Sequence, residues 1–210
     1  MFARQAGAFR QGVCPIRSMT ALDWIAGLVL WANLPVPIFW LVLHTRVAFW
    51  RQHVRAAYAT AIVAAWGSAT VLAWLYGRLL LDASSIPLVQ RTAGVLLIAF
   101  DVGVILQVER QLGVRRMVGK AELLGAGEMK RDGFYGRVRH PRYAAMMLST
   151  LGACLVAARP ILWGLAALWA AVVVLMIRAE ERELVARFGA GYEEYQRRVP
   201  MIVPRVGQPD

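Results

Sequence analysis

Two polar stretches towards the C-terminal end hold the residue types from which a small-molecule site could be built. The first is Asp132-Gly133-Phe134-Tyr135-Gly136-Arg137-Val138-Arg139-His140-Pro141-Arg142-Tyr143. Proline at 141 disfavours helix for His140 and is itself suited to the first helical position. Arg139 and His140 are therefore expected at the mouth of a helix N-terminus, where free amides and the helix dipole favour an anion. Gly133 and Gly136 let backbone approach a ligand closely. The competing reading is an arginine-rich flank that anchors a membrane helix to headgroups. In the second stretch, Glu180 and Glu181 follow directly on an apolar run, and acids at that depth need a partner or a task. Phe188, Tyr192, Tyr195 and Val199 recur at helical spacing, so the tail is expected to present one apolar face. Glu183, Glu193 and Glu194 read as solvated helix charge, with Glu183 and Arg187 paired at i, i+4. For Glu180 and Glu181, spacing alone leaves solvated charge and a site role level.

The elements that must position these residues follow from composition. Hydrophobic residues make up 59% of the 210 positions and charged residues 18%, against about 45–50% and about 25% in ordinary soluble domains. A water-soluble monomer could not hide that much apolar side chain, and the same excess excludes disorder. Apolar segments near the ~20 residues a bilayer requires appear five times. They are Leu22–Leu43, interrupted by Pro35 and Pro37, then Tyr58–Leu81, then Leu88–Val108, which carries Asp101, and finally Tyr143–Ala157 and Ile161–Ile177. Only Ala158, Arg159 and Pro160 separate the last two, which predicts a tight helical hairpin with a short first arm. The fold class expected is all-α, a polytopic membrane protein of about five transmembrane helices.

Charge orients the chain. The stretch from Glu109 to Arg142 holds nine Lys or Arg against four acids, which by the positive-inside rule makes it cytoplasmic. The hairpin returns Arg178–Asp210 to that side, and Arg46–Arg55 falls there too. The net charge of +11 is thus mainly a topology signal, and nucleic acid is not needed to explain it. Residues 1–20, with Arg4, Arg10 and Arg17, read as an N-terminal extension. Residues 21–108 read as three transmembrane helices, and 109–210 as the half that carries the chemistry. Cys14 and Cys154 cannot make a disulfide framework or a cysteine zinc site, and His44, His53 and His140 are too scattered to argue for a metal.

Taken together, the motifs run Gly-x-Tyr, Arg-His-Pro-x-Tyr, apolar hairpin, Glu-Glu-x-x-Leu, Phe-Gly-x-x-Tyr-x-x-Tyr, Val-Pro. Here they are Gly133 and Tyr135; Arg139, His140, Pro141 and Tyr143; Glu180, Glu181 and Leu184; Phe188, Gly189, Tyr192 and Tyr195; Val199 and Pro200. This order resembles the isoprenylcysteine carboxyl methyltransferase family, which takes in phospholipid N-methyltransferases and bacterial thiol methyltransferases. The resemblance covers roughly the C-terminal half, from Leu112 to Pro204.

It implies S-adenosylmethionine as cofactor, bound in a cytoplasm-facing pocket without a Rossmann domain. Tyr135, His140, Pro141, Arg142 and Tyr143 would line that pocket, and Glu180 would hold the cofactor from across the hairpin. The segment Gly127-Glu128-Met129-Lys130 would wrap it with backbone. Arg139 and Glu181 are the implied catalytic pair, and no metal is implied. The prenylcysteine enzymes have an arginine four residues before the first glutamate, where this chain has Met176. The acceptor is therefore expected to be another lipophilic small molecule or lipid, with Asp101 and the apolar spans shaping its site. A bacterial inner membrane is the expected location, with membrane lipids as surroundings. Two other readings stand beside this one: a membrane reductase resembling the sterol reductases and using NADPH, and a non-enzymatic membrane scaffold.

Overall fold

The computed structural model describes residues 20–45, 47–81, 86–112 and 129–205, so of the expected N-terminal extension only Thr20 is described. Helix α1 (Ala21–Asn33) starts at a capping box, in which the Thr20 hydroxyl accepts from the Asp23 amide and the Asp23 carboxylate accepts from the Thr20 amide at 2.7 Å. It ends before Pro35, and α2 (Val36–Thr45) follows with Pro37 in its first turn, where a missing N–H costs nothing. Helices α3 (Val47–Gln52), α4 (Val54–Ile62) and α5 (Ser68–Leu81) come next, with a single π turn at Val63–Gly67 joining the last two. Then come α6 (Leu88–Leu112), the one-turn α7 (Phe134–Arg137), α8 (Pro141–Ala157), α9 (Pro160–Phe188) and α10 (Ala190–Arg198). Every regular element among the described residues is helical.

Among the described residues, four segments are long and apolar enough to cross a membrane: Ala21–Leu43, Val54–Trp74, Leu88–Gln111 and Pro160–Phe188. The protein is an integral membrane protein with four candidate spans. Tyr143–Ala157, the remaining apolar run of the sequence, is not among them. At 17 residues, α8 rises about 25 Å, short of the ~30 Å hydrocarbon thickness. It is instead the buried axis of the bundle, with Ser149 and Thr150 as well as its apolar residues inside. The hairpin itself forms as expected, through Ala158 in the left-handed region (φ 51°) and Arg159.

Three helices pack on α8, all antiparallel to it. Against α6, Gln90 donates to the Leu155 carbonyl, Asp101 meets Ser149, and Val104 and Val108 cluster with Ala145. Against α1, Ala26 and Leu30 pack with Ala153, Val156 and Ala157, and Asn33 reaches Ser149 and Thr150. Against α9, Tyr143 and Met146 pack with Val173, Met176 and Ile177. In lipid such contacts depend on close fit, because apolar side chains gain little by leaving hydrocarbon. The α6–α8 contact shows that fit, since a Cβ on either Gly94 or Gly152 would lie 2.6 Å from the other's carbonyl oxygen. The outward faces carry Trp24, Leu28, Leu96, Phe100, Leu168 and Leu175, all exposed.

Candidate functional site

The antiparallel hairpin brings the N-terminus of α8 beside the last third of α9, and α10 turns back across both. His140 has non-helical backbone (φ −124°, ψ 63°) and Pro141 opens α8, as the sequence leads one to expect. The amides of Arg139 and His140 donate to the carbonyls of Pro200 and Met201 at 2.8 and 3.0 Å. The C-terminal tail thus closes over the mouth of α8.

Glu181 is the hub of the cluster. Its Oε1 accepts from Arg139 Nε at 2.6 Å and lies 3.0 Å from His140 Nε2. Its Oε2 accepts from Arg139 Nη2 at 3.2 Å and from Gln196 Nε2 at 3.1 Å. Arg139 Nη1 donates to the carbonyls of Gln196, at 2.9 Å, and Val199. Every guanidinium nitrogen of Arg139 and both oxygens of Glu181 are therefore engaged with protein groups. The pair is nearly buried, with side chains 10% exposed on each partner. Hydrogen-bonded and paired, it escapes the penalty of a lone buried charge.

The neighbouring Glu180 is different. Its Oε2 is buried and has no hydrogen-bond partner among the described residues. A second acceptor of this kind, Gln111 Oε1 at the end of α6, is also buried without a partner. Gln111 abuts Gly133, whose φ of 61° favours glycine, and a Cβ there would lie 2.2 Å from Gln111 Nε2 and displace that side chain. The rings of His140 and Tyr143 lie 5.9 Å apart and tilted by 31°, and those of Tyr192 and Tyr195 meet edge to face at 5.7 Å. Burial raises the Tyr192 phenol above its ordinary value, and it pushes the Tyr195 phenol up to about 12. Both stay neutral donors at any physiological pH. Tyr195 uses its hydroxyl to hold the Tyr135 carbonyl at 2.6 Å.

The remaining expected site residues fall around this cluster. Pro141 is buried, Arg142 is half-buried on α8, and Met129 and Lys130 are half-buried where the described chain resumes. Met129 lies beside Gly191, and the adjacent Arg131 donates to the Gly191 carbonyl at 3.0 Å. Gly127 and Glu128 lie outside the described residues. Gln196, Gln111 and Arg131 were not singled out in the sequence. For Gln196 a signal exists, because it lies four residues beyond Tyr192 and so shares the buried face of α10.

An S-adenosylmethionine-sized ligand presents an ammonium, ribose hydroxyls and an adenine amino group, all hydrogen-bond donors. The orphaned acceptors on Glu180 and Gln111 match that donor set, and the tyrosine rings suit an adenine face or a sulfonium.

Residues 89–191 match the phospholipid methyltransferase family. Two named relatives are methanethiol S-methyltransferase 2 of Bradyrhizobium diazoefficiens, 40% identical over 72 residues, and methanethiol S-methyltransferase of Crocosphaera subtropica, 32% identical over 81 residues. These alignments cover 34% and 39% of this chain and only 27% and 31% of the relatives' own lengths. No solved structure matches the chain.

Proposed function

The chain belongs to the phospholipid methyltransferase family, whose methyltransferases use S-adenosylmethionine, and from that premise we propose that it methylates a small lipophilic thiol at the cytoplasmic face of a bacterial inner membrane. The observation that carries this is the buried, unpartnered oxygen of Glu180, beside a Glu181 that is fully bound. A carboxylate oxygen left bare costs free energy unless a ligand's donor completes it. Glu180, with Gln111, holds the cofactor's donors. His140, Pro141, Arg142 and Tyr143 line its other side, and the backbone of Met129 and Lys130, with Tyr135, closes over it. Arg139 and Glu181 act through the site's shape: they lock the hairpin, α10 and the tail into one wall.

The cofactor supplies the electrophilic methyl group, so the protein's task is to align the acceptor and exclude water. A thiol is favoured as acceptor by the two relatives named for methanethiol and by Met176, which is buried in an apolar cluster and offers no charge to a substrate carboxylate. The cytoplasmic assignment is supported by Arg51 of α3, between the first two spans, which approaches Glu183 of α9 to 4.0 Å. Both basic segments therefore lie at one end of the bundle.

Isothermal titration of purified protein with S-adenosylmethionine tests the cofactor assignment. Binding is expected, and Glu180→Ala and His140→Ala should each weaken it at least tenfold. No binding, or unchanged affinity in both variants, refutes it. Incubation with labelled S-adenosylmethionine and either methanethiol or lipid extract tests the acceptor, by where the label lands.

A further inference from the structure

Asp101 sits in the middle of α6, a membrane span, and is only 6% exposed. Its Oδ2 accepts from Ser149 Oγ at 2.5 Å, whereas its Oδ1 is buried with no partner. From α8 it faces Ser149 and the positive charge of Arg142, and behind Ser149 stands the Asn33 amide of α1 at 3.0 Å. The Asn33 amide also reaches Thr150 at 3.3 Å, and Ser149 Oγ lies 3.2 Å from the Met146 carbonyl. An acid inside a membrane span is costly and marks a functional site by default. Asp101, Val104 and Val108 share one stripe of α6 (i, i+3, i+7), and that stripe ends against Phe134 and Tyr135 at the cofactor site. Seven residues of helix put Asp101 about 10 Å deeper than that end.

Resting on the methyltransferase reading above, we propose that Asp101 Oδ1 accepts the hydrogen bond, and then the proton, of a small thiol acceptor bound at the deep end of this stripe. The thiol sulfur forms a bond to the methyl carbon while the bond from that carbon to the cofactor's sulfur breaks, leaving its electron pair there. The S–H bond breaks and its proton passes to Asp101 Oδ1, turning carboxylate into carboxylic acid. The step removes one positive and one negative charge together, which a low-dielectric site favours. Ser149, donating to Oδ2, keeps Oδ1 turned towards the acceptor and is a positioning residue.

The test is Asp101→Asn in the full-length protein, read by methanethiol methylation across pH and by titration with S-adenosylmethionine. Removing a general base should lower the rate at neutral pH by about 100-fold or more. The rate should recover as pH rises and the thiol ionises unaided, while cofactor affinity stays within about threefold, as positioning by α6 is preserved. An unchanged rate and profile overturns the proposal, as does a loss that high pH does not restore or that cofactor affinity shares. Should Asp101→Asn fail to fold, wild-type rates for thiols of graded acidity decide at neutral pH. Rates independent of thiolate fraction support Asp101, and rates that track it overturn the proposal. A wild-type protein that binds no S-adenosylmethionine, or methylates only lipid amines, overturns the reading underneath instead.

Discussion

Glu181 and Asp101 are both buried carboxylates in the same bundle, each 8% exposed or less, yet their oxygens are treated in opposite ways. Glu181 takes hydrogen bonds from Arg139, His140 and Gln196 on its two oxygens, and through them joins α8, α9 and α10. Asp101 has one hydrogen bond, from Ser149, and a bare oxygen. A saturated carboxylate holds elements together, because any displacement breaks several charge-assisted bonds at once. A half-satisfied one adds little to stability and keeps an acceptor position for something that comes and goes. Charge and burial alone do not separate the two, but the count of satisfied lone pairs does.

The contrast can be broken at its strong end first. Glu181→Ala leaves the Arg139 guanidinium nearly buried and uncompensated, and should cost about 3–5 kcal/mol in denaturation of the purified protein. A loss near zero would mean that Glu181 is no hub. Gln196→Ala removes one neutral donor to a charged acceptor while Arg139 keeps its hold, so a loss of about 2 kcal/mol is expected in the same measurement. Ser149→Ala strips Asp101 of its hydrogen bond and should likewise cost about 2 kcal/mol, with thiol methylation falling as well. Asp101→Asn should leave the melting temperature close to wild type while methylation collapses at neutral pH. If it instead melts the protein as Glu181→Ala does, the two carboxylates are alike and the contrast fails.

Much of the frame was legible residue by residue. Pro35 breaks the first span and Pro141 opens α8 after a non-helical His140, because proline acts on its own backbone and on that of its neighbour. The hairpin was legible from three residues between two apolar runs. The number of spans was not, because an apolar run has the same composition whether it faces lipid or protein, and α8 faces protein. The membrane expectation therefore stands, with four candidate spans among the described residues. The close meeting of Gly94 with Gly152 joins residues 58 positions apart, and no local pattern announces it.

The two adjacent glutamates mark the boundary most sharply. Sequence alone determined that Glu180 and Glu181 leave a membrane helix together, near an Arg-His-Pro turn and an aromatic-faced tail. It could not say which one is bound. Successive residues on a helix point about 100° apart, and only the tertiary structure sets what lies in each direction. Arg139, 42 residues away in sequence, fills the direction of Glu181, and Gln196 of α10 completes it. Glu180 Oε2 finds no donor among the described residues. The composition and order of the chain chose the helices and their motifs, whereas the packing of α8 between α1, α6 and α9 decided which carboxylates hold the structure and which remain open to a ligand.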